Sequence, residues 1–454
     1  MKPAADGRAA RDMRAMVADA VAFSLMVGLG ETYVPAFVLA AGLGALAAGW
    51  IATLPMLAGS VLQLVTPWGV RRLGSYRRWV VLCARLQAAS FAPLVAGALA
   101  GWVRLEWIFL VAACYWGFGM ATSPAWNAWV GTLVPLDRRA HFFARRARLA
   151  QTAILGGVLL GGLLLEAVAI DAAPLLGFAL LFALAGGARL ASAGFLARQS
   201  EPPGLVELHR PASPRRAVLR RLGRGEGGRV LAYLLGIQVA VNIAAPFFTP
   251  YMLGPLGLTY AGFMGLTAAA FAARIAVLPL LGPAAHRFGT RAIFRAGAIC
   301  IIPLPALWLV SDAYSYLVGV QVLAGASWAG LEYATQLAFF ESLHEHDRTS
   351  ILTVFNLANM LAVSVGCGLA TLLFRWEDGG RDAFALLFAA SAAARLVPLA
   401  LLRRVPTHEL PISEIALRTL AVRPSAGAIQ RPVLPALDAA EALEREGGAA
   451  VVDP

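Results

Sequence analysis

Twelve apolar runs, each of about the length that crosses a bilayer, dominate this sequence and constrain what it can fold into. A hydrocarbon core about 30 Å thick requires roughly 20 apolar residues per helix. Only 14% of the side chains are charged and 59% are apolar, whereas soluble domains carry about a quarter charged residues. The sequence therefore predicts an all-α membrane protein with twelve transmembrane helices, at residues 16–39, 46–67, 79–101, 107–130, 149–170, 173–197, 229–251, 260–282, 292–311, 314–340, 350–374 and 383–402.

The basic residues predict which ends of these spans face the cytoplasm. Of 38 lysines and arginines, 32 lie before the first run, after the last, or in the segments on that same side, with which we count Arg189, Arg229 and Arg295 near the inner ends of their runs. Three lie in the opposite loops and three within runs. Cytoplasmic loops carry an excess of Lys and Arg, so we expect both termini in the cytoplasm and the protein in a bacterial inner membrane. The first run is too long for a cleavable signal peptide.

The second half of the chain repeats features of the first at an offset of 215 residues. The stretch "YVPAFVLAAGLG" matches "FTPYMLGPLGLT", which aligns Pro35 with Pro250. The basic turns at residues 72–74 and 287–289 share that offset. Six spans, a linker and six related spans are the arrangement of parallel-repeat transporters.

This repeat divides the chain into four parts. A six-helix bundle is predicted at residues 1–197 and a second at 229–404, and a flexible basic linker joins them at 198–228. The remaining part, a cytoplasmic tail at 405–454, is polar and rich in proline, and we expect it to be largely disordered.

With this topology and these turns, residues 15–404 resemble the major facilitator superfamily. The family's loop 2–3 signature, which recurs in loop 8–9, has an acid followed by a basic residue, any residue, and glycine. Here Arg71 and His286 stand where the acids are expected. In the family that acid is thought to hold a helix end when the inner gate is closed, so the sequence does not support this latch. The resemblance implies a gating role for Arg71, Arg72, Gly74, Gly282, His286, Arg287, Gly289 and Arg291.

The resemblance also implies that helices 1, 4, 7 and 10 line a central cavity, and two acids far from the inner ends of these helices are candidates for it. A charged group at mid-bilayer costs roughly 2.5–3.5 kcal/mol on insertion scales, so each acid needs a partner or a cavity. Glu31 in helix 1 is either a proton-titrated carboxylate or solute ligand, or a helix-end group that reaches the outer headgroups because Pro35 ends the helix. Glu332 in helix 10 either serves the cavity or forms an ion pair with Arg274 or Arg395.

Further polar and aromatic residues lie in these helices. Gln238 and Asn242 are four residues apart in helix 7, as are Glu332 and Gln336 in helix 10, so each pair shares a helix face. Taken singly, such residues are more simply explained by contacts between helices; together they favour a polar or amphipathic solute. The candidate residues for solute or proton binding are Glu31, Tyr33, Trp126, Asn127, Gln238, Asn242, Glu332 and Gln336.

Other chemistries lack their sequence signals. There is no phosphate-binding glycine loop and no His-x-x-x-His or Cys-x-x-Cys pair. His344 and His346 could chelate a metal weakly but are more simply explained as residues of a solvated loop, so we expect no cofactor, no metal and no enzyme activity. The basic charge does not gather on a soluble face, so we expect no nucleic acid partner.

The sequence thus predicts a monomeric secondary transporter that moves a small solute by alternating access, in contact with membrane lipid. Within that class we favour proton-coupled export of an amphipathic compound. A facilitative or uptake permease for a polar metabolite shares every feature above. A non-transporting membrane sensor is a third alternative, although it would normally carry a larger soluble domain than the tail at 405–454.

Overall fold

The computed structural model of the chain describes residues 2–130, 132–134, 139–169, 174–208, 226–341, 348–377, 380–402, 416–423 and 427–433. In this part of the chain, ten helical segments are long and apolar enough to cross a membrane. Two further helical segments lie where the ninth and tenth spans are predicted. The prediction of an all-α membrane fold is therefore confirmed.

We number the spans by the predicted runs that they contain. Spans 1 to 6 are formed by Lys2–Leu29 with Val34–Ala40; Gly44–Ile51, Leu54–Leu62 and Thr66–Leu73; Tyr76–Ala89 with Phe91–Ala100; Leu105–Val130; Arg139–Ala169; and Pro174–Ala197. Spans 7 to 12 are formed by Glu226–Ala244 with Phe248–Leu253; Tyr260–Phe288; Thr290–Cys300 with Leu304–Leu307; Tyr314–Glu341; Arg348–Trp376; and Arg381–Leu402. Short 3₁₀ turns occur at Glu31–Tyr33, Gln63–Val65 and Ala245–Phe247, and a short helix, Leu205–Leu208, follows span 6. We call the end of the bundle where span 1 begins the inner side, and the other end the outer side, after the predicted orientation.

Close packing between glycines holds span 1 against span 5. A Cβ atom added to Gly28 would lie 2.4 Å from the carbonyl oxygen of Ile154 and 2.9 Å from the Cα of Gly157. Spans 7 and 11 make the equivalent contact in the second half, where a Cβ on Gly366 would lie 2.4 Å from the carbonyl oxygen of Val239. Small residues let membrane helices approach this closely, and the recurrence of the contact agrees with the sequence repeat.

The two halves contact each other along their outer ends. The indole nitrogen of Trp50 in span 2 donates to Thr371 in span 11 at 2.8 Å, and the Thr53 hydroxyl lies 2.9 Å from the Cys367 sulfur. On the opposite side of the bundle, the carboxylate of Glu166 in span 5 accepts from the backbone N–H of Ala261 in span 8 at 3.0 Å. These contacts join the two halves near their outer ends.

Two segments differ from the sequence-based expectation. The predicted flexible linker is docked at its start, because Gln199 and Leu205 are buried against the first half; residues 209–225 lie outside the described part of the chain. In the predicted disordered tail, strands β1 (Ala416–Arg423) and β2 (Gly427–Val433) pair as an antiparallel hairpin. Strand β1 lies beside spans 1 and 5, and β2 beside span 10.

Candidate solute site

The first span of each half is interrupted at an equivalent position. In span 1 the α-helix ends at Leu29 and gives way to the 3₁₀ turn Glu31–Tyr33, and in span 7 it ends at Ala244 before the turn Ala245–Phe247. Proline follows or lies within each turn, and its missing N–H and its ring prevent a regular helix. The offset of 215 aligns Glu31 with Pro246. Interrupted helices near the midplane form the solute sites of many transporters.

A cavity of about 60 Å³ lies between these two interruptions. One water molecule requires roughly 10–15 Å³ by this measure, so the cavity holds a few waters. Spans 1, 4 and 7 line it as expected and spans 2 and 3 line it in addition, whereas its described lining contains no residue of span 10. Its polar lining side chains are few and the rest are apolar or aromatic: the lining comprises Glu31, Thr32, Val34, Pro35, Ile51, Ala52, Phe91, Leu94, Ile108, Ala112, Tyr115, Trp116, Ala245, Pro246 and Thr249.

Glu31 is the one charged side chain in this described lining. Its Oε2 accepts a hydrogen bond from the hydroxyl of Tyr115 in span 4 at 2.9 Å, and that hydroxyl lies 3.0 Å from the Met26 sulfur. Because the helix resumes after the turn and continues to Ala40, Glu31 is not at the outer helix end. Tyr115 was not among the candidate residues, and its one signal in the sequence is its place in a predicted cavity helix.

Glu332 forms a buried ion pair with Arg274 of span 8. The two side chains are 15% and 7% exposed, and Nη1 of Arg274 also lies 3.4 Å from Oε1 of Glu332. The structure therefore contains the ion pair with Arg274, which was one of the alternatives for Glu332 in the sequence. Arg395 in span 12 instead donates to the backbone carbonyl of Ile301 in span 9.

Four other candidate residues, Tyr33, Gln238, Asn242 and Trp126, are not part of the described cavity lining and contact other parts of the protein. Tyr33 is fully buried, and its hydroxyl donates to the carbonyl of Val158 at 2.5 Å. Asn242 donates to the backbone oxygen of Gln238 at 2.8 Å, within span 7. Trp126 is buried, and the Arg146 guanidinium lies 4.7 Å from its ring centroid. The side chains of the remaining two, Asn127 and Gln336, lie outside the described residues.

The two predicted gating turns are short, as expected. Gly74 has φ +61° and ends the last helix of span 2, and Ser75 begins span 3 as its N-cap. Gly289 has φ +78° and separates spans 8 and 9. Glycine adopts these positive φ values without a Cβ penalty. Arg71, Arg72 and Arg287 are exposed, Gly282 lies within the helix Tyr260–Phe288, and the side chains of His286 and Arg291 lie outside the described part of the chain.

A buried charged network near the inner side of the first half was missed in the sequence. Asp19 in span 1 lies 3.7 Å from Arg146 of span 5 and accepts from Ser192 of span 6 at 2.7 Å. Arg189, which the sequence analysis counted with the inner segment, is fully buried in span 6 and donates to Gln87 of span 3 at 2.8 Å. The network joins four spans and does not reach the described cavity lining.

Comparison with known proteins gives the family. The sequence profile described as "Major Facilitator Superfamily" matches residues 20–366. The chain belongs to the major facilitator superfamily. It is therefore a multi-pass membrane transporter and not an enzyme. No curated protein matches it in sequence, and in the described residues no group of three or more His, Cys, Asp or Glu side chains could hold a metal ion.

Solved structures of superfamily transporters share the fold at low sequence identity. The nucleoside transporter NupG superposes with a TM-score of 0.64 at 9% identity, over 88% of this chain and 100% of that one. The E. coli fucose:proton symporter FucP gives 0.58 at 13% identity, over 87% and 98%. A bacterial homologue of the iron transporter ferroportin in its outward-facing state gives 0.54 at 16% identity, over 87% and 98%. At these identities the likeness establishes the fold alone.

Proposed function

We propose that this major facilitator protein is a secondary transporter that moves a small solute by alternating access and couples it to protons through Glu31. The observation that supports this most directly is the position of the Glu31 carboxylate. It lies at the interruption of span 1, on a cavity that also borders the equivalent interruption of span 7. Both halves therefore meet the bound species, as a rocking mechanism requires.

Glu31 is suited to carry a proton. Burying an ionised carboxylate in an apolar site costs far more than burying a protonated one, so the charge state of Glu31 should depend on which side of the membrane it can reach. The Tyr115 hydroxyl provides a hydrogen bond to the ionised form. We assign Glu332, the other candidate acid, to its ion pair with Arg274 rather than to coupling.

We place the protein in a bacterial inner membrane with both termini in the cytoplasm.

The cavity lining favours an amphipathic solute. Phe91, Tyr115 and Trp116 form a wall of edge-on rings with centroids 5.3 Å and 5.5 Å apart. Such rings bind apolar or cationic groups, and the carboxylate would hold a polar end. We propose export, driven by the inward flow of protons.

Reconstituted vesicles test the coupling. Amphipathic compounds would first be screened for those that raise the thermal stability of the purified protein. Such a compound and a pH-sensitive dye would be loaded into the vesicles, and the solute and proton fluxes would be measured under an imposed pH gradient. Gradient-driven solute flux should be lost in Glu31→Gln and retained in Glu106→Gln, a control that alters an exposed carboxylate (79% exposed) at the outer end of span 4. Unchanged gradient-driven transport in Glu31→Gln would refute the assignment.

Uptake is the second candidate, because a solved structure of the same fold is a fucose:proton symporter. The same vesicles distinguish the alternatives through the sign of the coupling. Protons and solute moving in opposite directions indicate export, parallel movement indicates uptake, and a solute flux that ignores the gradient indicates a facilitator.

A further inference from the structure

The segment that follows span 6 is hydrogen-bonded to three other spans of the first half at once. The indole nitrogen of Trp129 in span 4 donates to the Ser200 carbonyl at 2.8 Å. The Ser200 N–H donates to the carboxylate of Asp12 in span 1 at 3.0 Å, and its hydroxyl bonds the same carboxylate. Arg77 in span 3 donates to the Gln199 carbonyl at 3.1 Å. The beginning of the interdomain linker therefore has a fixed position on the inner side.

Glu201, the next residue, holds the N-terminus of span 3. Its Oε1 accepts from the backbone N–H of Tyr76 at 2.6 Å and from that of Arg77 at 3.4 Å, while Oε2 bonds the Ser75 hydroxyl. The first N–H groups of a helix have no partner within the helix, and a carboxylate there also interacts favourably with the helix dipole. Ser75 completes the cap by accepting from the Arg78 N–H at 3.0 Å.

This arrangement supplies an acid to a loop whose own acid is missing. Loop 2–3 has Arg71 where the family signature has a carboxylate, and Glu201 reaches the same loop from 126 residues further along the chain. The linker is docked beyond this point as well, because Leu205 is 1% exposed and packs into the inner hydrophobic cluster with Trp126 and Trp129.

We propose that Glu201 is a positioning residue for closure of the inner side. It keeps loop 2–3 and the start of the linker together as one unit on the first half. When the outer contacts open and the inner ends approach, loop 2–3 then meets the second half in a fixed orientation. This goes beyond the coupling role of Glu31 and rests on the alternating access proposed above.

The test needs no solute, so its failure is distinguishable from failure of the transport proposal. Cys367 is fully buried beside Thr53 where the outer ends of the halves meet, so its labelling reports separation of those ends. The other three cysteines would be replaced by alanine: Cys83, Cys114 and Cys300. A charged, membrane-impermeant maleimide applied from the outer side of vesicles then measures the rate at which the outer side opens.

Glu201→Gln should slow the labelling of Cys367 several-fold, because the inner-closed state loses its oriented loop. Glu201→Asp should recover most of the rate, and the control Glu106→Gln should match the parent. Unchanged or faster labelling in Glu201→Gln, with or without lower thermal stability, would overturn the proposal. If that variant does not fold, Ser75→Ala removes one of the contacts of Glu201 and must itself slow labelling for the proposal to stand.

Discussion

Replacing Glu332 by glutamine should destabilise the protein strongly, because the change leaves the Arg274 guanidinium without its ion-pair charge in mid-membrane. Arg274 lies 14 residues from either end of Tyr260–Phe288, and its side chain is 7% exposed. Breaking one side of a buried pair typically costs about 3–5 kcal/mol, whereas replacing both partners with apolar residues of similar size is often neutral or stabilising. We therefore expect a loss of about 3–5 kcal/mol in Glu332→Gln and recovery of most of it in the double variant Arg274→Met/Glu332→Leu.

The free energy of unfolding would be measured by reversible SDS titration in mixed micelles. The matched control is Arg381→Gln, which breaks an ion pair with Asp312 whose partners are 59% and 47% exposed; exposed pairs contribute little, so its unfolding midpoint should match the parent. The reasoning fails if Glu332→Gln unfolds with the parent, or if the double variant is as unstable as the single one. Either result would mean that the ion pair does not explain Glu332, and Glu332 would again be a candidate for binding the solute or the proton.

Two further predictions use the same titration. Gly28→Ala should lower the free energy of unfolding by about 1–3 kcal/mol through overpacking, because its Cβ would lie 2.4 Å from a carbonyl oxygen of span 5. The control Gly156→Ala should not destabilise the protein, because its Cβ would have no neighbouring atom of another segment within 4 Å. Equal losses of stability in the two variants would contradict the packing argument. Arg189→Met should cost about 1–3 kcal/mol for each buried group that loses its partner, Gln87 among them. Arg78→Met, at an exposed position at the inner end of span 3, should leave stability unchanged, and equal losses in the two variants would contradict the prediction.

The positions of the spans could be predicted because the bilayer sets their length and composition. The interruptions of spans 1 and 7 also follow from Pro35 and Pro246, whose effect on a helix is local. The docking of the linker could not be predicted, because it depends on Asp12 and Glu201 meeting partners that are distant in sequence. Proline and polarity in that segment indicate a linker but do not say which side chains will bind it.

The site was only partly predictable for a related reason. Glu31 could be selected because an acid in mid-membrane requires an explanation, but Tyr115, its partner, resembles any packing residue in an apolar span. Glu332 had two possible arginine partners, and the choice depends on how spans 8 and 12 are rotated about their axes. Arg189 was counted with the inner segments, yet Gln87 in another span holds it inside.

The interruptions of spans 1 and 7 are alike in backbone but not in chemistry. One has Glu31 at the position where the other has Pro246, so the pseudo-twofold axis relates a negative charge to an apolar ring. If Glu31 binds the solute as proposed, a cargo attracted to it would sit off that axis, closer to the first half. The two halves would then contribute unequally to the site, the first through its charge and the second through an apolar surface.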